Sequence, residues 1–335
     1  MTYSVYQHWD PLEVCLVGKT YPPEFYSYIH NVRVRSVLER IAEETEEDYQ
    51  KLITLLELFN VEVIRPKIQE FHNYLLPNDM QYNIPPMTPR DYTAMIGDTF
   101  YTNCNYIQKN DFTDEFDKIS IRNKVVYHND PTVNSAMVTR CGRDLYFGTL
   151  SYDVDAESLL ARYQSQFPNY RCHVVNTGGH LDGTFCPVKP GLIISLCDIP
   201  TYAKTFPGWE VVYLPGQSWE AVAPFLDLKR KNMGKWWVPG EELNDDFTDY
   251  VEQWMSHWVG YVEETVFDVN MLVIDEKNVV CNNYNKQVFD AFERHGITPH
   301  IVNFRHRFFW DGGLHCITSD ISRRGTMQDY FPGRG

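Results

Sequence analysis

Asn270-Met271-Leu272-Val273-Ile274-Asp275-Glu276-Lys277-Asn278-Val279-Val280-Cys281, continuing through NNYNKQVFDAFERHGITPHIVN to Asn303, decides the fold. Residues 270–274 read as an apolar strand, 275–278 as a polar turn and 279–281 as the returning strand, which makes a hairpin. Residues 285–295 carry a helical pattern that Gly296 stops, and 298–303 read as a further strand. Working outward, related units recur. After the turn at Pro11, a short apolar strand ends at Gly18; a helix follows over about 34–59, with Asn60 as its stop, and then a strand at 61–65. The run from Glu43 to Asp48 is most simply a solvated helix face. Further strands are expected at 93–100, 143–148, 170–175, 192–196 and 210–214, with a helix over 155–167. No GxGxxG follows any strand, so this is not a dinucleotide-binding sheet. The units share shape and not sequence, and they read as one α/β domain over 1–335, with an irregular insertion or lid at about 216–262.

Composition narrows the function. The chain has 335 residues, of which 43% are hydrophobic and 15% aromatic, ample for a large core. A net charge of −15 without a basic stripe argues against nucleic acid and mildly favours cationic small molecules. Eight cysteines without a CxxC pair are neither a zinc framework nor a disulfide scaffold. The N-terminal segment has no basic and apolar leader pattern, and no apolar run has the length of a membrane span. The expected setting is the cytoplasm, with no membrane partner.

Four short stretches place a Cys, His or Asp beside Gly or Pro at an expected strand end. In Gly312-Gly313-Leu314-His315-Cys316, the cysteine can be buried filler, a metal ligand or a nucleophile. In Gly178-Gly179-His180-Leu181-Asp182-Gly183, an extended backbone would turn His180 and Asp182 to one side, as a base and carboxylate or as two metal ligands without a third. Thr88-Pro89-Arg90-Asp91 and Cys141-Gly142-Arg143-Asp144 each put an aspartate at a strand start; a surface turn is the plain alternative. If these ends converge on one axis, a thiol, an imidazole and several carboxylates meet. Such a set can hold a guanidinium, attack its carbon and shuttle its protons.

In order and wording these motifs resemble the glycine amidinotransferase family, the arginine-dependent amidinotransferases among guanidino-group-modifying enzymes. The resemblance rests on WDPLE at 9–13, PRD at 89–91, GRDLY at 142–146, HLDGTF at 180–185, NMLVIDEKNV at 270–279 and GGLHCITSDISRRGTMQDY at 312–330. It implies the pentein fold, an α/β-propeller of five ββαβ-like units around a pseudo-fivefold axis. It also implies a ping-pong transferase reaction. Cys316 would be the nucleophile, His180 the general acid and base, and Asp144 the residue that orients the imidazole. Asp91 and Asp182 would bind the guanidinium, with Arg90 and Gly179 beside them in the substrate-binding set. Arginine would leave its amidino group on Cys316 and depart as ornithine, and an amine acceptor would take the group up, with no metal or organic cofactor. A guanidino hydrolase, deiminase or dihydrolase, on the same fold is the alternative reading; family members are often dimers.

The sequence departs from the family's pattern in three places. Ile199 stands where an arginine would meet a substrate carboxylate, Glu263 and Glu264 stand where small serines would lie, and an acidic FDAAD-like segment reads Val133-Asn134-Ser135-Ala136-Met137. Loss of a cation and gain of two carboxylates favour an acceptor with a second amine, with Glu263 and Glu264 as substrate-binding candidates. Surface charge is the plain alternative for that pair.

Overall fold

The computed structural model describes residues 2–68, 84–103, 113–196, 202–214, 236–260 and 266–334. Among the described residues the strands, in chain order, are β1 (Leu12–Val17), β2 (Glu62–Ile64), β3 (Thr93–Ile96), β4 (Thr99–Asn103), β5 (Lys124–His128), β6 (Val138–Cys141), β7 (Asp144–Gly148), β8 (Arg171–Val175), β9 (Phe185–Lys189), β10 (Leu192–Ser195), β11 (Glu210–Tyr213), β12 (Leu272–Asp275), β13 (Asn278–Cys281), β14 (Thr298–Ile301) and β15 (Thr318–Arg323). They form five three-stranded sheets: β15-β1-β2, β3-β4-β5, β6-β7-β8, β9-β10-β11 and β12-β13-β14. In each sheet an antiparallel pair is extended by a third strand parallel to its neighbour. A parallel neighbour cannot be reached by a tight turn, so a helix crosses over before each third strand. These are α1 (Val32–Leu58), α2 (Thr113–Ser120), α3 (Ala156–Gln166), α4 (Tyr202–Thr205) and α7 (Lys286–Arg294). The architecture is the expected pentein arrangement of five ββαβ-like units. The chain's two ends complete one unit together, because β15 (Thr318–Arg323) pairs antiparallel with β1 (Leu12–Val17).

Individual elements refine the reading. Residues 93–100 are not one strand but β3 (Thr93–Ile96) turning into β4 (Thr99–Asn103), with Gly97 at φ +58°. A Gly-Asp turn between apolar runs hides inside an alternating pattern, which explains the difference. The GRD motif is a hairpin turn as well: Gly142, at φ +64°, links β6 (Val138–Cys141) to β7 (Asp144–Gly148). α1 is capped by Asn31, whose Oδ1 accepts from the Arg33 and Val34 amides, and it ends at Asn60, at φ +58°. Its acidic run is solvated only in part, at Glu43 and Glu47. Asp48 is buried and accepts from Arg305, Glu44 meets His306 at 2.6 Å, and Glu46 pairs with Arg65.

Of the expected lid at 216–262, only 236–260 is described. There α5 (Asp245–Trp254) packs Phe247 and Val251, with Trp236 and Trp258, into the same apolar cluster as α1. That part contributes to the core. Among the described residues no helix is long and apolar enough to cross a membrane.

Where the units meet, the interior is charged. Arg140 Nη2 donates to both oxygens of Asp320, Arg323 Nε donates to Asp320 Oδ2, and Arg90 Nη1 lies 3.2 Å from Asp320 Oδ1. All four side chains are buried. Arg90 and Asp320 lie directly next to the loops that shape the cleft described next.

Candidate active site

The loops just ahead of β3, β9, β12 and β15 supply the reactive side chains. Asp91 closes a 3-10 turn, Pro89–Asp91, before β3. His180 precedes a second 3-10 turn, Leu181–Gly183, before β9 (Phe185–Lys189). The backbone there is not extended as the sequence suggested; Leu181 turns into the core, and His180 and Asp182 nevertheless share a cleft. Asn270 follows the short helix α6 (Val266–Val269) and precedes β12 (Leu272–Asp275). Cys316 follows α8 (Arg307–Trp310) and the two glycines, ahead of β15. Gly179, His180, Asp182, Asn270, Asp311 and Cys316 line a cleft of about 550 Å³.

Cys316 Sγ lies 3.5 Å from Asp182 Oδ2. The same Asp182 oxygen accepts from His315 Nδ1 at 2.8 Å. His180 Nδ1 stands 3.7 Å from Asp91 Oδ1. Among the described residues, Asp91 Oδ1 and Asp182 Oδ1 are both buried without a hydrogen-bond partner. A buried carboxylate oxygen left unpaired is costly, and a planar cation with several N–H donors would satisfy both.

Electrostatics follow from burial among like charges. Burial, and then Asp182 and Asp91, push the Cys316 thiol well above the usual thiol range, and the Asn270 N–H opposes them. Burial disfavours the His180 imidazolium, but Asp91, Asp182 and Asp311 outweigh it, so its pKa is raised. Asp182 is held below the ordinary carboxylate value; burial works against this, and His315 outweighs it. Burial raises Asp91. A cation bound between the two aspartates would offset the carboxylate charges that, after burial, hold the thiol protonated.

Other candidates from the sequence fall elsewhere. Asp144 does not orient His180: its carboxylate meets His173 Nε2 at 2.7 Å, Arg171 Nη2 at 2.7 Å and Arg334 Nη1 at 3.4 Å. The reason is polarity along the strand. Asp144 begins β7, whereas Gly148, at the far end of β7, backs onto Thr177 and Leu181 beside His180. The carboxylate beside the imidazole is that of Asp91. Arg90 does not line the cleft either; it is fully buried and its Nε donates to the carbonyls of His315 and Thr318, bracing the cysteine loop from behind. Gly179 does line the cleft, with open space where a side chain would begin. Ile199, Glu263 and Glu264 lie outside the described residues.

Two residues escaped the sequence reading. Asn270 and His315 both touch the site; His315 stands next to the more conspicuous Cys316, and Asn270 opens a stretch that reads only as a hairpin. Gly313 is required by close packing. A Cβ there would come 2.6 Å from Asn270 Oδ1 and 3.0 Å from Asn282 Nδ2, so the glycine admits two asparagine side chains. Among the described residues, no three His, Cys, Asp or Glu side chains are placed to hold a metal ion.

The fold has close counterparts among solved structures. An amidinotransferase of the saxitoxin biosynthetic pathway from Microseira wollei superposes with a TM-score of 0.69 at 19% identity, covering 98% of this chain and 99% of the other. Inosamine-phosphate amidinotransferase from Streptomyces griseus superposes with a TM-score of 0.68 at 18% identity, with the same coverage. In sequence, mitochondrial glycine amidinotransferase of Xenopus tropicalis is 28% identical over 206 residues, 60% of this chain and 41% of that protein. The chain has the pentein fold and is related to the amidinotransferases. L-arginine:L-lysine amidinotransferase of Pseudomonas savastanoi pv. phaseolicola is 25% identical over 215 residues, 62% of this pentein chain and 49% of that protein. The chain thus matches less than half the length of these curated relatives. No family model matches it.

Proposed function

We propose that this protein is an amidinotransferase that takes the amidino group of a guanidino donor, arginine first among the candidates, and passes it to an amine through Cys316. The observation that carries the reading is the pair of buried oxygens on Asp91 and Asp182, near the Cys316 thiol, that have no hydrogen-bond partner among the described residues. The aspartates hold the guanidinium, and its charge lets the thiol ionise. Sγ then bonds to the guanidino carbon. The carbon–nitrogen bond to the departing amine breaks as His180 delivers its proton to that nitrogen, so arginine leaves as ornithine. The amidino-cysteine keeps its positive charge between Asp91 and Asp182. In the second half an acceptor amine gives a proton to His180 and attacks the same carbon, and the carbon–sulfur bond breaks to return the thiolate.

Sequence similarity to amidinotransferases supports transfer over other chemistry. An acceptor bearing a second amine suits the cleft best. Its described lining includes Asp182 and Asp311, and neither lysine nor arginine is among those lining residues. The test is the intact mass of the protein after brief incubation with arginine. An added amidino group, absent from Cys316→Ala and discharged by amines, is expected; unchanged turnover in Cys316→Ala would remove the mechanism. Glycine emerging as clearly the best acceptor, over lysine, ornithine and diamines, would remove the acceptor reading.

A hydrolase is the second reading. The His180 side chain is 44% exposed, so water can reach the base. Rapid citrulline formation from arginine alone, without an amine, would favour it.

A further inference from the structure

Asn270 is fully buried, and both ends of its amide are committed. Its Oδ1 accepts from the backbone amides of His315, at 3.0 Å, and Cys316, at 3.1 Å. Two N–H donors on one atom identify it as the oxygen and leave the amino group facing the thiol. That group, Nδ2, lies 3.0 Å from Cys316 Sγ, 3.3 Å from Asp182 Oδ2 and 3.4 Å from the Asp182 carbonyl. One side chain therefore links the nucleophile, the carboxylate beside it and the loop that carries both His315 and Cys316.

A second asparagine fixes the first. Asn282 Nδ2 donates to the Asn270 carbonyl at 2.8 Å and to the Phe267 carbonyl at 3.0 Å, while its Oδ1 accepts from the Leu314 amide at 3.2 Å. Asn282 touches neither sulfur nor carboxylate in these contacts. The hairpin of β12 and β13 (Asn278–Cys281) thus clamps the cysteine loop through two amides, of which one reaches the reacting atom.

We propose that Asn270 is a catalytic residue of the transfer reaction: its N–H donates to the Cys316 thiolate, and its carbonyl oxygen holds the loop so that Sγ stays beside Asp182. The proposal rests on the amidinotransferase reading for its catalytic meaning. A neutral donor is suited to this place. Asp91, Asp182 and Asp311 surround the sulfur with negative charge, and a cationic side chain would compete with substrate for the same carboxylates.

The test follows site-resolved alkylation of Cys316 by iodoacetamide against pH, in the full-length protein without substrate, followed by single-turnover formation of the arginine adduct. Asn270→Ala is expected to move the alkylation midpoint upward by about one pH unit, roughly tenfold less thiolate at a given pH. Asn270→Asp keeps the volume and the accepting oxygen while replacing the donor with a carboxylate, so its midpoint rises further in a folded protein. Both variants should form the arginine adduct about a hundredfold more slowly. Asn282→Ala, which loosens the clamp without removing the donor to sulfur, is expected to lower the melting temperature and to move the midpoint by much less than Asn270→Ala does. An unchanged midpoint in Asn270→Asp would overturn the proposal, as would an equal shift in Asn282→Ala. A wild-type protein that forms no arginine adduct would overturn the transfer reading alone, because the thiol titration uses no substrate.

Discussion

Asp182 directs one oxygen to His315 and Cys316, and its other oxygen is buried without a hydrogen-bond partner among the described residues, which suits it to a bound cation. Asp182→Asn is expected to reduce kcat/KM for arginine about a hundredfold or more, the loss of one charge-assisted contact in a dry site, measured by steady-state ornithine release. His315 has a separate consequence for stability. Burial, and then Arg90, drive its pKa from 6.5 down to about 4, and His8 is likewise held well below 6.5 by burial. Both are neutral in the fold but take up a proton below about pH 6.5 once unfolded. Between the two values the unfolded chain binds more protons, so stability falls as pH falls. For His315 the loss is on the order of 3 kcal/mol by pH 4. His180 acts in the opposite sense, since its raised pKa contributes stability that is complete below 6.5 and fades as pH rises through the folded value. Urea denaturation from pH 7 to pH 4 should show a steep acid decline in wild type and a shallower one in His315→Asn. The thiol, the imidazole and the two carboxylates were legible because each sits in a short motif with a reactive side chain. Asn270 was not, because an amide signals no chemistry until its neighbours are known.

At the scale of elements, charge placement on α1 does more than solubilise it. Asp48 accepts from the Arg305 backbone and guanidinium, and Lys51 lies 3.0 Å away. Glu44 and Glu47 add contacts to His306 and Arg305. These ties anchor the segment that runs through α8 to Cys316. Asp48→Ala is expected to cost about 2 kcal/mol in urea denaturation, through loss of charged hydrogen bonds to a partly buried arginine. It should also slow adduct formation, whereas Lys51→Ala, which removes an exposed partner, should do neither. Asn31→Ala removes the α1 cap and should cost about 1 kcal/mol without affecting the reaction. The helix and its stop at Asn60 were readable from periodicity, but its acidic face was not. A run of carboxylates looks the same in sequence whether water or Arg305 meets it. The hairpin at Gly97 was obscured for a similar reason, since β3 and β4 are both too short to leave two separate patterns.

Across the whole molecule, three guanidinium groups gather on one carboxylate. Asp320→Asn would leave Arg90, Arg140 and Arg323 buried without their shared counter-charge. Removing one partner of a buried ion pair typically costs about 3–5 kcal/mol. The expected outcome is a large drop in urea midpoint; adding Arg140→Met should restore part of it if the penalty is uncompensated charge. Arg90 ties this cluster to the carbonyls of His315 and Thr318, so the loop carrying the nucleophile rests on it. The amino-acid sequence by itself determined the repeating strand–strand–helix–strand units and the residue types waiting in the loops, because periodicity and turn chemistry are local. Only the tertiary structure decided that β15 completes the first sheet, that Arg90 faces inward and that Asp144 lies away from His180. A strand has two ends, and a motif at either end reads alike along the chain. Packing five units around a charged centre determines which end opens on the cleft, and therefore which aspartates stand beside Cys316.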